Sequence, residues 1–350
     1  MVERVVFAVP GDLATPTGGF AYDRRMIAEL RRLGWTVEVL DLGDGYPRPS
    51  PPTRAAARAQ LAGVPPGRPI VIDGLAFGVL PDVSAVLAHS HRLIALIHHP
   101  LALESGLAAE EAQALHASER AALAGTRHVV ATSQATARLL VRDFAVAPDR
   151  LTVAPPGTDR APPARGSGDG TLALLAVGAI VPRKGYDVLI AALARLADLP
   201  WRLTIAGDRE RDPAAAARLD RDIARLNLSG RVTVAGAVPA EDLAALYLGA
   251  DLFVLPSRFE GYGMAFAEAI AHGLPVIGTT AGAMPETIAA EAGVLVPPDD
   301  VDALAAALRR LIADAGERGR LAAGARAAAA QLPTWAASAA LFAGAIEAAR

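Results

Sequence analysis

The sequence contains no cysteine, which excludes disulfides, zinc–thiolate sites and cysteine nucleophiles. Lysine is almost as scarce: of 34 basic residues only Lys184 is a lysine. A chain this rich in Ala, Arg, Gly and Pro writes Arg wherever either cation serves. The surviving lysine therefore marks a place that needs a compact ammonium rather than a planar guanidinium. An excess of one charge is lacking too. The formal net charge of −3 provides no basic field for gathering nucleic acid. The small cluster Arg24, Arg25, Arg31 and Arg32 reads as a solvated helix face. No apolar run approaches the roughly 20 residues that span a bilayer. The apolar stretch 2–9 has neither a basic n-region nor a small-residue cleavage site, so it reads as a first strand rather than a signal peptide. These absences predict a soluble, cytoplasmic protein, with peripheral membrane contact left open. H-E-x-x-H, Walker A, G-x-S-x-G and paired-His metal spacings are absent. The acidic group Asp299, Asp300 and Asp302 opens a helical pattern and reads as capping.

What is present is enough apolar sequence for two cores: 350 residues, 52% hydrophobic and 20% charged. Short apolar runs alternate with amphipathic helical patterns, which predicts α/β architecture with parallel sheets. In the first half, strands are expected at 5–9, 37–40, 70–72, 93–97, 129–132 and 151–153. Helices are expected near 20–33, 79–88, 108–124 and 134–144, the last capped by Ser133. The stretches 47–52 and 65–69 read as Pro-rich loops. Residues 161–170, APPARGSGDG, lack periodicity and read as an interdomain linker. A second series follows, with strands at 172–177, 202–205, 231–234, 252–255, 275–277 and 294–296. This divides the chain into domains at 1–165 and 166–332, with a C-terminal helix at 333–350 that could pack back on the first domain. Open parallel sheets bind ligands just outside the carboxyl ends of their strands, so a site in a cleft between the domains is expected.

Four motifs carry chemistry. In FEGYGMAFAEAIAHGLPVI, Glu260 and Glu268 stand eight residues apart around a Gly261-Tyr262-Gly263 turn, and a helix begins near Met264. A helix N-terminus there suits an anion or sugar hydroxyls, and a carboxylate can take two vicinal hydroxyls. Glu268 lies in an otherwise apolar run and, once buried, needs a partner. In VGAIVPRKGYDVL, Arg183 and Lys184 sit at a strand-to-helix turn, suited to a diphosphate leaving group. Gly18 and Gly19 end the loop after the first strand and let backbone approach a phosphate, although the G-x-G-x-x-G fingerprint is absent. His98 and His99 end a strand. His98 continues that strand, but which ring faces the site is not readable from sequence.

Together these motifs resemble glycosyltransferase family 4, the group 1 glycosyl transferases. These are retaining enzymes of the GT-B fold, in which two Rossmann-like doubly wound domains face each other across a cleft. The likeness covers nearly the whole chain and is strongest over 172–311. The E-x7-E signature, Glu260 and Glu268, is its most specific part. The resemblance implies that Glu268 binds the donor ribose, and that Glu260 contacts the donor sugar with help from Gly261, Tyr262, Gly263 and Met264. It implies that Arg183 and Lys184 bind the diphosphate, that Gly18 and Gly19 close over the phosphates, and that His98 is the cleft histidine. PGTD at 156–159 is similar to the family's turn before the linker, whereas Gly207-Asp208 is followed by RERDP rather than the usual G-P. The implied activity is a metal-independent, retaining transfer of a hexose-type sugar from a UDP-, GDP- or ADP-sugar to an acceptor hydroxyl. No cofactor is implied, and no nucleic-acid partner. The acceptor, whether sugar, lipid or small molecule, is not implied. A nucleotide-sugar epimerase, a phosphorylase or a non-catalytic nucleotide-sugar binder are the alternatives.

Overall fold

The computed structural model describes residues 3–104 and 106–349. The chain forms two compact units, Met1–Gly157 with Pro333–Arg350, and Thr158–Leu332. In the first unit a six-stranded sheet is formed by β1 (Arg4–Val9), β2 (Thr36–Asp41), β3 (Pro69–Asp73), β4 (Arg92–Ile97), β5 (His128–Ala131) and β6 (Leu151–Val153), its four central strands buried and its edge strands β2 and β6 partly exposed. All pairs are parallel, in the order β2-β1-β3-β4-β5-β6. Parallel sheets need a crossover between neighbours and cover from both sides, which explains unbroken apolar strands such as RLIALI. Cover comes from α1 (Gly18–Arg32), α2 (Pro51–Ala62), α3 (Gly74–Phe77), α4 (Pro81–Leu87), α5 (Ala109–Ala124) and α6 (Gln134–Asp143). Ser133 caps α6 by accepting from Thr136 N at 3.0 Å.

The expected loop over 47–52 is partly a helix. Ser50 caps α2, and Pro51 and Pro52 occupy its first turn, where a missing N–H costs nothing and a fixed φ helps. The prolines that suggested a loop therefore start a helix.

The second unit repeats the design with β7 (Leu172–Val177), β8 (Trp201–Ala206), β9 (Val232–Gly236), β10 (Leu252–Val254), β11 (Val276–Thr279) and β12 (Gly293–Val296). Its order is β12-β11-β10-β7-β8-β9, all parallel. The surrounding helices are α7 (Tyr186–Ala194), α8 (Pro213–Arg225), α9 (Ala240–Leu248), α10 (Met264–Ala271), α11 (Met284–Thr287), α12 (Val301–Ala313) and α13 (Ala315–Ala329). Asp300 caps α12 and Asp302 lies in its first turn, so the acidic group there is structural.

The last helix, α14 (Trp335–Ala348), belongs to the first unit. Phe342 stacks at 6.1 Å on Phe7 of β1, and Trp335 lies 5.8 Å from Tyr22 of α1. The stretch 161–170 has no regular structure, yet it is not a free spacer. Ala164 N donates to His272 O and Arg165 N to Leu248 O, so it satisfies carbonyls at the ends of α10 and α9.

Strand order locates the sites. Read from β9, the second sheet runs third, second, first, fourth, fifth, sixth in chain order, the Rossmann arrangement, and its direction of winding reverses between β7 and β10. In the first sheet the reversal lies between β1 and β3. Ligands of doubly wound folds sit outside the carboxyl ends at such a point, and both side-chain clusters described below lie there.

Candidate functional site

In the second unit the loops after β7 and β10 flank the reversal point and bring three predicted residues together. A 3₁₀ turn, Pro182–Lys184, follows β7, and Gly185 at φ 68° turns the chain into α7. A Cβ at Gly185 would stand 2.1 Å from Pro256 O, so the two loops touch through glycine. Lys184 Nζ donates to Glu260 Oε1 at 2.7 Å, and Arg183 Nη1 donates to Glu260 Oε2 at 3.3 Å and to Phe259 O at 2.7 Å. Ser257 Oγ donates to the same Glu260 Oε1 at 2.6 Å. Glu260 is buried, 6% exposed. Burial pushes its carboxyl up, but Lys184 and Arg183 overcome this and hold it at about 2. It is therefore a carboxylate at any physiological pH, a hydrogen-bond acceptor and not a proton donor.

Several residues outside the motif reading build this geometry. Gly282, at φ 61°, leaves no room for a side chain, because a Cβ there would lie 2.3 Å from Glu260 O. Ala283 N donates to that same carbonyl. Arg258 ties the two loops together. It bonds Asp187 and Asp299 by side chain, and donates to Pro182 O. Its own N–H meets Arg183 O at 2.7 Å. No sequence signal separates Arg258 from other surface arginines.

The Gly261-Tyr262-Gly263 turn leads into α10, whose N-cap is Gly263 at φ 91°. Neither α10 nor α7 carries a side-chain cap, so their first N–H groups remain for other acceptors. Met264 opens α10, and Tyr262 is anchored through its carbonyl by Thr287 Oγ1 at 2.5 Å. Glu268 lies about one turn further, half-buried. Its predicted need for a partner is met by Tyr247, whose hydroxyl donates to Oε2 at 2.9 Å. Burial raises the Glu268 carboxyl, while the Tyr247 bond lowers it and Asp159 raises it again. Tyr247 stacks on His272 at 5.1 Å, and His272 Nδ1 donates to Pro162 O at 2.9 Å. Glu260 and Glu268 thus stand on one loop and helix but make separate contacts.

In the first unit the structure joins the other two motifs. Gly18 and Gly19 are the first residues of α1, whose N-cap Thr17 accepts from Phe20 N at 3.3 Å. A Cβ on Gly19 would lie 3.3 Å from His98 Cδ2, so glycine lets the helix start against the imidazole. The histidine pair resolves into two directions. His98 Nε2 lies 3.3 Å from Asp23 Oδ1 and 3.2 Å from Asp73 Oδ2, whereas His99 Nε2 lies 3.5 Å from Glu104. Asp23 and Asp73 were not singled out by motif. Asp23 does carry the signal used for Glu268: an acid in the apolar stripe of its helix, between Phe20 and Ile27. Ligand atoms of Asp23, Asp73 and His98 all lie within 4.8 Å of one another, a spacing that would also suit a cation. Of the arginine cluster, Arg31 and Arg32 bond Val37 O and Glu29, and Arg25 lies over the Trp335 ring.

Two six-stranded Rossmann-like units with these clusters at their reversal points define a GT-B protein. A family profile described as glycosyl transferases group 1 matches residues 158–328, and one described as glycosyltransferase family 4 matches residues 17–161. The chain belongs to this glycosyltransferase family. It is 29% identical over 307 residues to MMP alpha-(1->4)-mannosyltransferase of Mycolicibacterium hassiacum, covering 83% of this chain and 73% of that protein. It is 34% identical over 227 residues to D-inositol 3-phosphate glycosyltransferase of Xylanimonas cellulosilytica, covering 60% of this chain and 54% of that one. The chain therefore spans only about half of the latter relative's length. Among solved structures, sucrose-phosphate synthase of Thermosynechococcus elongatus superposes with a TM-score of 0.83 at 24% identity over 98% of both chains. HepE of Anabaena, in complex with UDP and glucose, superposes with a TM-score of 0.80 at 19% identity over 99% of both chains. Among the described residues, no helix is long and apolar enough to cross a membrane.

Proposed function

We propose that the chain is a retaining glycosyltransferase that moves a hexose-type sugar from a nucleotide-sugar donor to an acceptor hydroxyl. The observation that carries this reading is the cluster of half-buried Arg183 and Lys184 on buried Glu260 at the β7–β10 reversal point, with Glu268 on the helix beyond. HepE, a fold neighbour, is described with UDP and with UDP-glucose, which supports a nucleotide sugar as donor.

In this reading Arg183, Lys184 and the uncapped N-termini of α7 and α10 stabilise the departing diphosphate. Electrostatic stabilisation of that kind is the largest contribution to many such transfers. Those groups supply the positive charge that a metal supplies elsewhere, so turnover is proposed to be metal-independent. Glu260, permanently ionised, accepts hydrogen bonds from sugar hydroxyls. Glu268, oriented by Tyr247, accepts from the ribose. The acceptor hydroxyl attacks the anomeric carbon from the leaving-group face as the bond to the diphosphate breaks. Its proton passes to a diphosphate oxygen, and the configuration is retained.

A thermal-shift screen against UDP, GDP, ADP and their sugar conjugates, with and without EDTA, tests the reading. Stabilisation by one nucleotide series, unchanged by EDTA, is expected, and names the base. No shift with any nucleotide would sink it. Turnover to a free epimer, or to a sugar phosphate, would convert it to one of the alternative enzyme classes.

A further inference from the structure

Asp23 sits on α1 with no exposed surface, and both its carboxylate oxygens lack a hydrogen-bond partner, as does His98 Nε2 beside it. An isolated buried carboxylate is too costly to persist, so something must balance it. The groups facing His98 limit the choices. From α1 come Asp23 and Tyr22, the latter edge-on at 5.3 Å. From the end of β3 comes Asp73, whose Oδ1 already accepts from Leu75 N at 2.7 Å while its Oδ2 faces the ring at 3.2 Å. After β5, Thr132 Oγ1 bonds the His98 carbonyl at 3.1 Å and fixes the backbone beneath the ring. Tyr22 is not the balancing group. Burial, and then Asp23, drive its hydroxyl well above the ordinary range, and it is spent on Ala154 O at 2.9 Å.

The geometry points to Asp23 and Asp73 as positioning residues that hold His98 as a doubly protonated imidazolium, with one further proton shared between the two carboxyls. Two acids, one imidazolium and one shared proton sum to zero charge, which is what a buried cluster requires. No group from outside the chain is needed. The direction of titration agrees. Burial pushes the His98 ring down, but the two carboxylates override it and raise it to about 10, while burial and then Asp73 raise Asp23. A doubly protonated ring donates and cannot accept. Resting on the proposed transferase reading, His98 then offers a hydrogen bond to a sugar or phosphate oxygen and is not the base that deprotonates the acceptor.

The test is the protonation state itself, read by long-range ¹⁵N–¹H NMR on the ¹⁵N-histidine-labelled full chain, with His98→Gln to assign the signal. His98 is expected to stay doubly protonated through about pH 8. Asp23→Asn and Asp73→Asn should each lower its midpoint by about one unit or more, a tenfold loss of proton affinity. Asp73→Asn keeps the cap on Leu75 N, since Asn caps as well as Asp, so that variant isolates charge from folding. Ordinary titration of His98 near pH 6.5 in the parent protein overturns the inference. So does an unmoved midpoint in both folded variants. Zn²⁺ or Mg²⁺ displacing the ring proton would make the cluster a cation site and overturn it as well. None of these readouts needs turnover. A failed nucleotide screen with an intact imidazolium would refute the transferase reading and leave this one standing.

Discussion

At the scale of single residues, Lys184 carries the sharpest expectation. Its Cε packs against Gly178, where a Cβ would stand 3.0 Å away, and its Nζ reaches Glu260 through that gap. A guanidinium is broader and planar. Lys184→Arg should therefore keep the charge but misplace it, lowering kcat by roughly tenfold or more with the fold retained. Steady-state kinetics with the donor found by the nucleotide screen measures this, and parent-like kcat would show that the lone lysine is an accident of composition. Tyr247→Phe removes only the hydroxyl that holds Glu268. One hydrogen bond to a charged group is worth about 1.5–3 kcal/mol. A rise in donor KM of roughly tenfold is expected, with kcat far less affected. An unchanged KM would remove Glu268 from the proposed ribose contact.

Elements position these residues through contacts between loops, and there the expectations concern rigidity. Arg258 joins the turn after β7 to the turn after β10 by bonds to Pro182 O, Asp187 and Asp299. Exposed ion pairs are usually worth little, but a guanidinium bridging two loops and a carbonyl is a network. Arg258→Ala should cost about 1–3 kcal/mol by urea unfolding and weaken nucleotide binding in parallel. Loss of stability with binding intact would mean that the loops hold each other without it. Gly282→Ala is more severe in kind. A side chain at φ 61° is strained, and its Cβ would strike the Glu260 carbonyl. Turnover should fall well before the global fold does.

For the whole molecule, Glu119 and His98 in the first unit and Glu260 in the second should make stability respond to pH with opposite sign. In the first, Glu119 is 1% exposed, and burial raises it to about 8, against the bond it accepts from Leu101 N. Between its unfolded value near 4.5 and about 8, the folded state binds the extra proton, so stability falls as pH rises through that window. His98, raised to about 10, acts in the same direction: its contribution is complete below its unfolded value and fades as pH climbs toward 10. In the second unit Glu260, held at about 2, contributes stability above its unfolded value that is lost as pH falls toward 2. Urea midpoints should peak in the weakly acidic range. Glu119→Gln, which keeps an acceptor for Leu101 N, should flatten the alkaline side. An alkaline slope unchanged in that variant would assign the loss to the Asp23–His98–Asp73 cluster alone.

Much of this molecule was legible in the chain itself. Strands covered on both faces are apolar, so central strands such as β3 and β4 showed as unbroken runs, whereas the exposed edge strand β2, TVEVLD, is a polar-apolar alternation. The E-x7-E pair, the Arg-Lys turn and the glycine pair showed because each combines unusual residues with a helix start. Prolines misled at α2, since the same ring closes a loop or opens a helix and only the cap at Ser50 tells which. What tertiary structure alone decided is who meets whom across distances in sequence. Asp73 and Asp23 flank His98, Tyr247 serves Glu268, Arg258 bridges two turns, and the last helix returns to the first unit. Periodicity reports only what a residue's own element needs. Pairing between elements depends on where the sheets reverse their winding, and that is a property of the folded chain.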